Sequence, residues 1–228
     1  MSRKNILITS AGRRVELVQN FKKSLTEKFL NGQVFSCDFS PNLSAACNIS
    51  DKSFKVPKIF SNNYIDILID ICIKNKIGLL VPSIDEELLK ISTSKDLFEK
   101  NEIKPIISSR SLISSCIDKV KTIEIFKAKE LKFPKLYKKN NLNYPCFCKP
   151  RMGSSAIGAI KISASMDLTD NIFNDPSNIF MEFIEEDYEE YSCDLYFDKN
   201  SILKCAIPRI RILTRGGEVI SSVTKKNF

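Results

Sequence analysis

Residues 144–162 read YPCFCKPRMGSSAIGAIKI and contain the most specific structural pattern in the sequence. An apolar run typical of a β-strand contains Lys149, and a second apolar run covers residues 157–163. Between them, a loop made almost only of Gly, Ser and Ala opens at Gly153 and closes at Gly158. The pattern predicts a β-hairpin with a flexible loop at its tip.

This loop suits a polyphosphate ligand. Glycines let backbone N–H groups turn toward phosphate oxygens, and Ser154 and Ser155 add hydroxyl donors. An unpaired Lys149 ammonium in a dry strand would be costly, whereas a phosphate in the same cleft would keep it charged. The order differs from a P-loop, where the lysine follows the loop and a helix comes next. An ordinary hairpin whose lysine reaches solvent is the alternative.

Composition limits the class of protein. The chain has 228 residues, 43% of them hydrophobic, which is enough for one large domain or two small ones. No apolar run approaches the ~18 residues of a membrane span, and the first residues do not have the pattern of a signal peptide. We expect a soluble cytoplasmic protein with no membrane partner. The net charge of +8 raises the question of nucleic acid, but the lysines are spread along the chain. The densest run, residues 135–139, is interpreted as a solvated face, so we expect no nucleic-acid partner.

The absence of histidine excludes Ser-His-Asp and Cys-His catalysis and any histidine metal site. A Mg²⁺ ion held by oxygen ligands remains open. Among the eight cysteines, Cys146 and Cys148 would point to one face of a strand. Core packing is favoured over a metal site, because no C-x-x-C pair accompanies them.

The first half of the sequence alternates strands and helices with short turns, which predicts a parallel sheet covered on both faces. From about residue 111 the pattern changes to one mostly helical segment, residues 111–132, followed by antiparallel strand candidates. A domain boundary near residue 109 follows. The expected strands are 4–9, 33–38, 54–57, 77–81 and 104–107 in the first half, and 144–149, 157–163, 179–184, 191–197 and 202–207 in the second.

Two features of the first half have open interpretations. The turn at Gly12 follows a strand, and Asp38 closes the next one, but a dinucleotide fingerprint needs three glycines and this turn has one. Arg13 and Arg14 either meet an anionic substrate at a helix N-terminus or are exposed to solvent. The acidic residues 85–87 are either part of a ligand edge or a helix start.

Further along, MEFIEE at residues 181–186 ends a strand and EEYSCD at 189–194 begins the next, in the manner of an adenine hinge followed by an acid for ribose. At this point the chain resembles the ATP-grasp superfamily, with its closest likeness to members similar to the carbamoyl-phosphate-synthase large subunit. The matching pieces, which fall in the family's order, are ILITSAGRRVELV, VPSIDEELL, IDKVKTIEIF, YPCFCKPRMGSSAIGAIKI, MEFIEE and EEYSCDLYF.

The resemblance implies an α/β fold: a Rossmann-like pre-ATP-grasp domain at residues 1–109, followed by an α+β ATP-grasp domain. The first ATP-grasp subdomain would cover residues 110–180, and the second, expected to be incomplete, residues 181–228. The implied activity is that of an ATP-dependent ligase that joins a small-molecule carboxylate to an amine through an acyl phosphate. The implied cofactors are ATP and Mg²⁺, and a homodimer is left open.

The resemblance also implies roles for individual residues. Lys119 and Lys149 would contact the ATP phosphates, and the loop from Gly153 through Ser154 and Ser155 to Gly158 would cover them. The adenine pocket and the ribose site would be formed by Glu182, Phe183, Ile184 and Glu190. Arg209 and Arg211 resemble catalytic arginines near the triphosphate; exposed arginines on a surface strand are the alternative.

One departure from the family concerns the metal. The family's acid and Glu-x-Asn strand that bind Mg²⁺ have no recognisable equivalent here. Two function classes therefore stay open: a ligase, or a non-catalytic or fragmentary nucleotide-binding module. For the chain as it stands we expect ATP binding without turnover, and marginal stability from unpaired strand edges.

Overall fold

The first half of the chain folds into a five-stranded parallel sheet. The structure, a computed structural model, describes residues 3–28, 30–154, 156–185 and 188–225. Two units divide the chain, Met1–Ser114 and Ser115–Phe228; the boundaries expected at 109 and 180 stay predictions. The sheet order is β3-β2-β1-β4-β5. Its strands are β1 Asn5–Thr9, β2 Val34–Asp38, β3 Lys52–Lys55, β4 Ile77–Pro82 and β5 Lys104–Pro105.

Helices cover both faces of this sheet. Neighbouring residues of β1 point to opposite sides, so Leu7 belongs to one apolar cluster while Ile6 and Ile8 belong to another. Strands buried on both faces read as continuous apolar runs, which explains why the sequence pattern identified them. The helices of this unit are α1 Val15–Glu27, α2 Ala45–Ile49, α3 Tyr64–Lys74, α4 Asp85–Thr93 and α5 Lys95–Lys100. None of the described helices is long and apolar enough to cross a membrane.

The second half contains two antiparallel sheets. The first has the order β6-β9-β7-β8 and the second β10-β11-β12. The change from parallel to antiparallel strands confirms the predicted fold class. The strands are β6 Leu136–Tyr137, β7 Cys146–Pro150, β8 Ile160–Ile162, β9 Asn178–Glu182, β10 Tyr191–Phe197, β11 Leu203–Arg215 and β12 Glu218–Thr224; the helices are α6 Arg110–Ile117, which crosses the division, α7 Lys119–Ala128 and α8 Asp170–Asn174.

Residues 111–132 are mostly helical, as predicted, but they form two helices rather than one. The helix breaks at Asp118, whose side chain accepts hydrogen bonds from the amides of Val120 and Lys121 and so starts α7. An aspartate at this position satisfies amides that have no partner within the helix. The break brings Lys119 into the first position of a helix.

Candidate phosphate-binding site

The β7–β8 hairpin directs Lys149 away from the core. Cys146 and Cys148 are completely buried in the apolar cluster of the second unit, as alternation predicted. Phe147 and Lys149 therefore point to the opposite face of the strand. The pairing of Phe147 with Lys161 and of Cys148 with Ile160 confirms the predicted hairpin.

Glycines shape the loop between the two strands. Gly153 has φ +107° and Gly158 has φ +73°, which is backbone that other residues rarely adopt. A Cβ added to Gly158 would lie 3.0 Å from Pro150 Cγ, whereas a Cβ on Gly153 would meet nothing within 4 Å. Gly158 thus closes the loop against the strand, and the Gly153 end faces open space.

The start of α7 and the end of β7 are tied together. Arg151 binds Asp118 with two hydrogen bonds, Nε to Oδ1 at 2.8 Å and Nη2 to Oδ2 at 2.7 Å. These bonds, together with the amides at the start of α7, lower the pKa of Asp118 to about 2. The amide of Lys119 donates to the carbonyl of Arg151 at 3.1 Å. Lys119 and Lys149 are therefore held on adjoining elements.

A cavity of about 480 Å³ lies over this junction, entirely within the second unit. The side chains of Phe147 and Ile157 supply apolar surface, and Thr214 and Gly217 come from the β11–β12 hairpin. Six of the predicted site residues line it: Lys119, Lys149, Gly153, Ser154, Glu190 and Arg211.

Lys119 and Lys149 line the same cavity, and the two charges are close enough to affect each other. Burial lowers the pKa of Lys149, and the charge of Lys119 lowers it further. Burial also lowers the pKa of Lys119, against the opposing effect of Asp118. Lys119 Nζ donates to the carbonyl of Gly153 at 2.9 Å, while Lys149 Nζ lies 5.7 Å from the ring centre of Phe147. Among the described residues, Lys149 Nζ has no hydrogen-bond or ion-pair partner, so a bound anion would stabilise both charges.

The two predicted catalytic arginines lie on one face of β11 but in different surroundings. Arg211 binds Glu190 and donates from Nη2 to the carbonyl of Gly217 at 2.8 Å. Its Nε is buried, with no acceptor among the described residues. Arg209 binds both carboxylate oxygens of Asp194 and is not among the described residues that line the cavity.

The residues predicted for adenine lie outside the described lining of the cavity, as does Gly158. Glu182 pairs with Cys146 across β7 and β9, and its Oε2 accepts from the amide of Lys135 at 3.0 Å. Phe183 packs 6.3 Å from Phe147, ring centre to ring centre. The Ile184 side chain is exposed. Their roles toward adenine stay predictions, and Ser155 lies outside the described residues.

Sequence reasoning missed Phe147, Asp118 and Arg151. Strand alternation was sufficient to find Phe147, because it lies two residues from Lys149 and shares its face. Asp118 followed by a renewed helical period is an N-cap signal. Arg151 carries no local signal, since its partner lies 33 residues earlier in the sequence.

The side chains fit the phosphates of a nucleotide better than they fit a metal. Two lysines, an arginine with an unsatisfied donor and a glycine-shaped loop are donors, which phosphate oxygens require. In the part of the chain that the structure describes, no three acidic or cysteine side chains lie close enough together to hold a metal ion. Mg²⁺ usually takes only one or two carboxylates when substrate phosphates supply other ligands, so this result concerns a site made by the protein alone.

Two family models match the chain. The family model of the PylC-like N-terminal domain matches residues 6–106, and that of an ATP-grasp domain matches residues 116–227. Between them the two models match almost the whole chain. A search of curated proteins found no match.

Solved structures share the fold at low sequence identity. An L-amino acid ligase from Bacillus licheniformis is 14% identical with a TM-score of 0.68, covering 99% of this chain and 55% of that chain. An N5-carboxyaminoimidazole synthetase from Staphylococcus aureus, complexed with ADP, is 16% identical with a TM-score of 0.68, covering 96% and 57%. A biotin carboxylase from Campylobacter jejuni is 16% identical with a TM-score of 0.71, covering 95% and 53%.

The chain thus spans little more than half the length of these three structures, and the likeness shows the fold alone. The closer likeness to carbamoyl phosphate synthase stays a prediction. With both family models matching in order along a parallel and then an antiparallel half, the chain belongs to the ATP-grasp superfamily.

Proposed function

We propose that the second unit binds ATP, with its phosphates in the cavity between Lys119, Lys149 and the loop that opens at Gly153. The observation that carries this proposal is that Lys119 and Lys149 line one cavity beside the glycine loop, and that Lys149 Nζ has no hydrogen-bond or ion-pair partner among the described residues. Like charges at close range repel each other, so the arrangement is favourable only when an anion is present. Arg211, whose Nε has no acceptor among the described residues, also lines this cavity.

The ribose and adenine contacts are proposed for residues that come after the phosphate loop in the sequence. Glu190 would hold the ribose, and Glu182, Phe183 and Ile184 would form the adenine pocket. In the present arrangement the Glu190 carboxylate is bound to Arg211, so ribose binding requires that they share or exchange this contact. The N5-carboxyaminoimidazole synthetase that shares the fold was solved with ADP, which supports a nucleotide as the ligand.

For the whole protein we propose an ATP-dependent carboxylate–amine ligase. A carboxylate oxygen of the substrate would attack the γ-phosphorus of ATP, with ADP as the leaving group, to give an acyl phosphate. An amine would then attack the acyl carbon and release phosphate. Arg209 and Arg211 would stabilise the charge that develops on the transferred phosphoryl group. The eight free cysteines fit the reducing cytoplasm as the site of this reaction.

A nucleotide-binding module without turnover is the second candidate. Glu190, which lines the cavity, and Asp194 on β10 are each bound to an arginine rather than grouped for a cation. Phosphate release measured with Mg²⁺ and a panel of amino acids separates the two candidates. Turnover supports the ligase, and nucleotide binding without turnover supports the module.

Calorimetric titration with ATP tests the proposed site. Lys149→Ala should weaken binding by about 1.5–3 kcal/mol, the usual contribution of a hydrogen bond to a charged group. Lys127→Ala is the matched control, since Lys127 is an exposed lysine of the same unit outside the cavity. Equal affinities of the wild-type and Lys149→Ala proteins would remove Lys149 from the site.

A further inference from the structure

A bidentate ion pair lies beside the cavity without lining it. Asp118 is 7% exposed and its two oxygens accept from Nε and Nη2 of Arg151. Neither residue is among the described residues that line the cavity. Each is close in sequence to a proposed phosphate ligand, because Asp118 precedes Lys119 and Arg151 follows Lys149 by two residues.

The pair is part of a larger connection between α7 and the end of β7. Asp118 Oδ1 also accepts from the amide of Val120 at 3.0 Å, so one carboxylate both starts the helix and binds the strand end. The amide of Lys119 donates to the Arg151 carbonyl at 3.1 Å, and Lys119 Nζ reaches the carbonyl of Gly153 at 2.9 Å. The backbone amide and the side-chain ammonium of Lys119 therefore both bind the segment that begins at Arg151.

This connection can offset the cost of holding two lysine side chains close together. Two ammonium groups with lowered pKa values repel one another, and long lysine side chains lose rotamer freedom when they are ordered. An ion pair outside the cavity can hold the two elements together without placing the Asp118 carboxylate among the residues that line the cavity. A guanidinium provides two parallel bonds of fixed geometry, which a lysine cannot.

We propose that Asp118 and Arg151 are positioning residues that hold Lys119 beside Lys149 for the nucleotide phosphates. The proposal rests on the proposed function, since it needs ATP in the cavity. Arg151 acts through Lys119 and does not touch the nucleotide.

The first test measures ATP affinity by calorimetry for Arg151→Gln and Asp118→Asn, the latter keeping an oxygen that can cap α7. Each should bind ATP about tenfold more weakly, which is the loss of one well-placed charged hydrogen bond. Arg151→Lys should recover part of this loss, because it restores the charge but not the bidentate geometry. Lys22→Gln is the control: it breaks the ion pair of Lys22 with Asp51 in the first unit and should leave ATP affinity unchanged.

The second test repeats Arg151→Gln in a Lys119→Ala background, with urea denaturation to verify that each variant is folded. If Arg151 acts through Lys119, it should cause no further loss of affinity there. A further loss would show that Arg151 contacts ATP directly, which overturns the positioning role. Unchanged ATP affinity of both single variants would also overturn it. If the wild-type protein itself does not bind ATP, the proposed function fails instead.

Discussion

In the first unit, Leu7, Ile8 and Leu80 are completely buried, whereas Leu195 and Val223 on the β10–β12 sheet of the second unit are each more than half exposed. The five parallel strands have helices on both faces, so their side chains stabilise the fold. The three antiparallel strands instead use one face for the ion pairs of Arg209 and Arg211, and β11 contributes to the cavity. Stability and ligand chemistry are thus concentrated in different sheets.

The largest expected effect contrasts the same substitution in the two sheets. Leu80→Ala should lower the free energy of unfolding by about 2–5 kcal/mol, because it leaves a cavity in a closely packed core. Leu195→Ala removes a side chain that is 55% exposed and should change it by about 0.5 kcal/mol or less. Urea denaturation of both variants measures the difference. Similar losses would mean that Leu195 is buried in solution and that the contrast between the sheets is wrong.

A smaller effect concerns the pH dependence of stability, which in the second unit arises from the ion pair between Asp118 and Arg151. The pKa of Asp118 is lowered to about 2 from its ordinary value of 3.8. Its contribution is therefore fully present above about pH 4 and is lost as the pH falls through 2. We expect the stability difference between the wild-type protein and Asp118→Asn to shrink over this range in urea denaturation. The titration of this one carboxylate affects stability only between about pH 5 and pH 2. A stability difference that stays constant over that range would show that Arg151 does not stabilise the charged form.

The smallest effect concerns the mobility of the loop. Backbone amides of residues 156–158, which are exposed, should exchange with solvent quickly without nucleotide and more slowly with ATP. Amides of Leu7 and Ile8 in the buried parallel sheet should be protected in both states. Hydrogen exchange with mass spectrometry measures both regions in one experiment. Strong protection of residues 156–158 in the absence of ATP would contradict a loop that orders on the ligand.

The sequence was sufficient where one local pattern sets the structure. Continuous apolar runs separated by helical periods predicted the parallel sheet, and the alternation around Lys149 predicted the β7–β8 hairpin and the inward cysteines. These features depend on side-chain period and turn chemistry, which are visible within about ten residues.

Some features were missed, most of them because they depend on residues that are distant in the sequence. The predicted strand at 202–207 is the 13-residue β11, and β12 was not predicted although Gly216-Gly217 is a hairpin signal. The hydrogen bond from the Lys135 amide to the Glu182 carboxylate, 47 residues apart, was not predicted, and the role of Glu182 toward adenine stays a prediction. The hydrogen bonds between Asp118 and Arg151 were not predicted, because the two residues lie 33 positions apart.

Selective acylation of lysines tests the central claim, that Lys149 and Lys119 face the phosphates of ATP. Their lowered pKa values increase the fraction of free amine, so a limiting amount of reagent should modify Lys149 before the exposed Lys127. Mass spectrometry of the peptides then gives the extent of modification at each lysine with and without ATP. Saturating ATP should protect Lys149 and Lys119 and leave the modification of Lys127 unchanged. Equal modification of Lys149 in the presence and absence of ATP would contradict it.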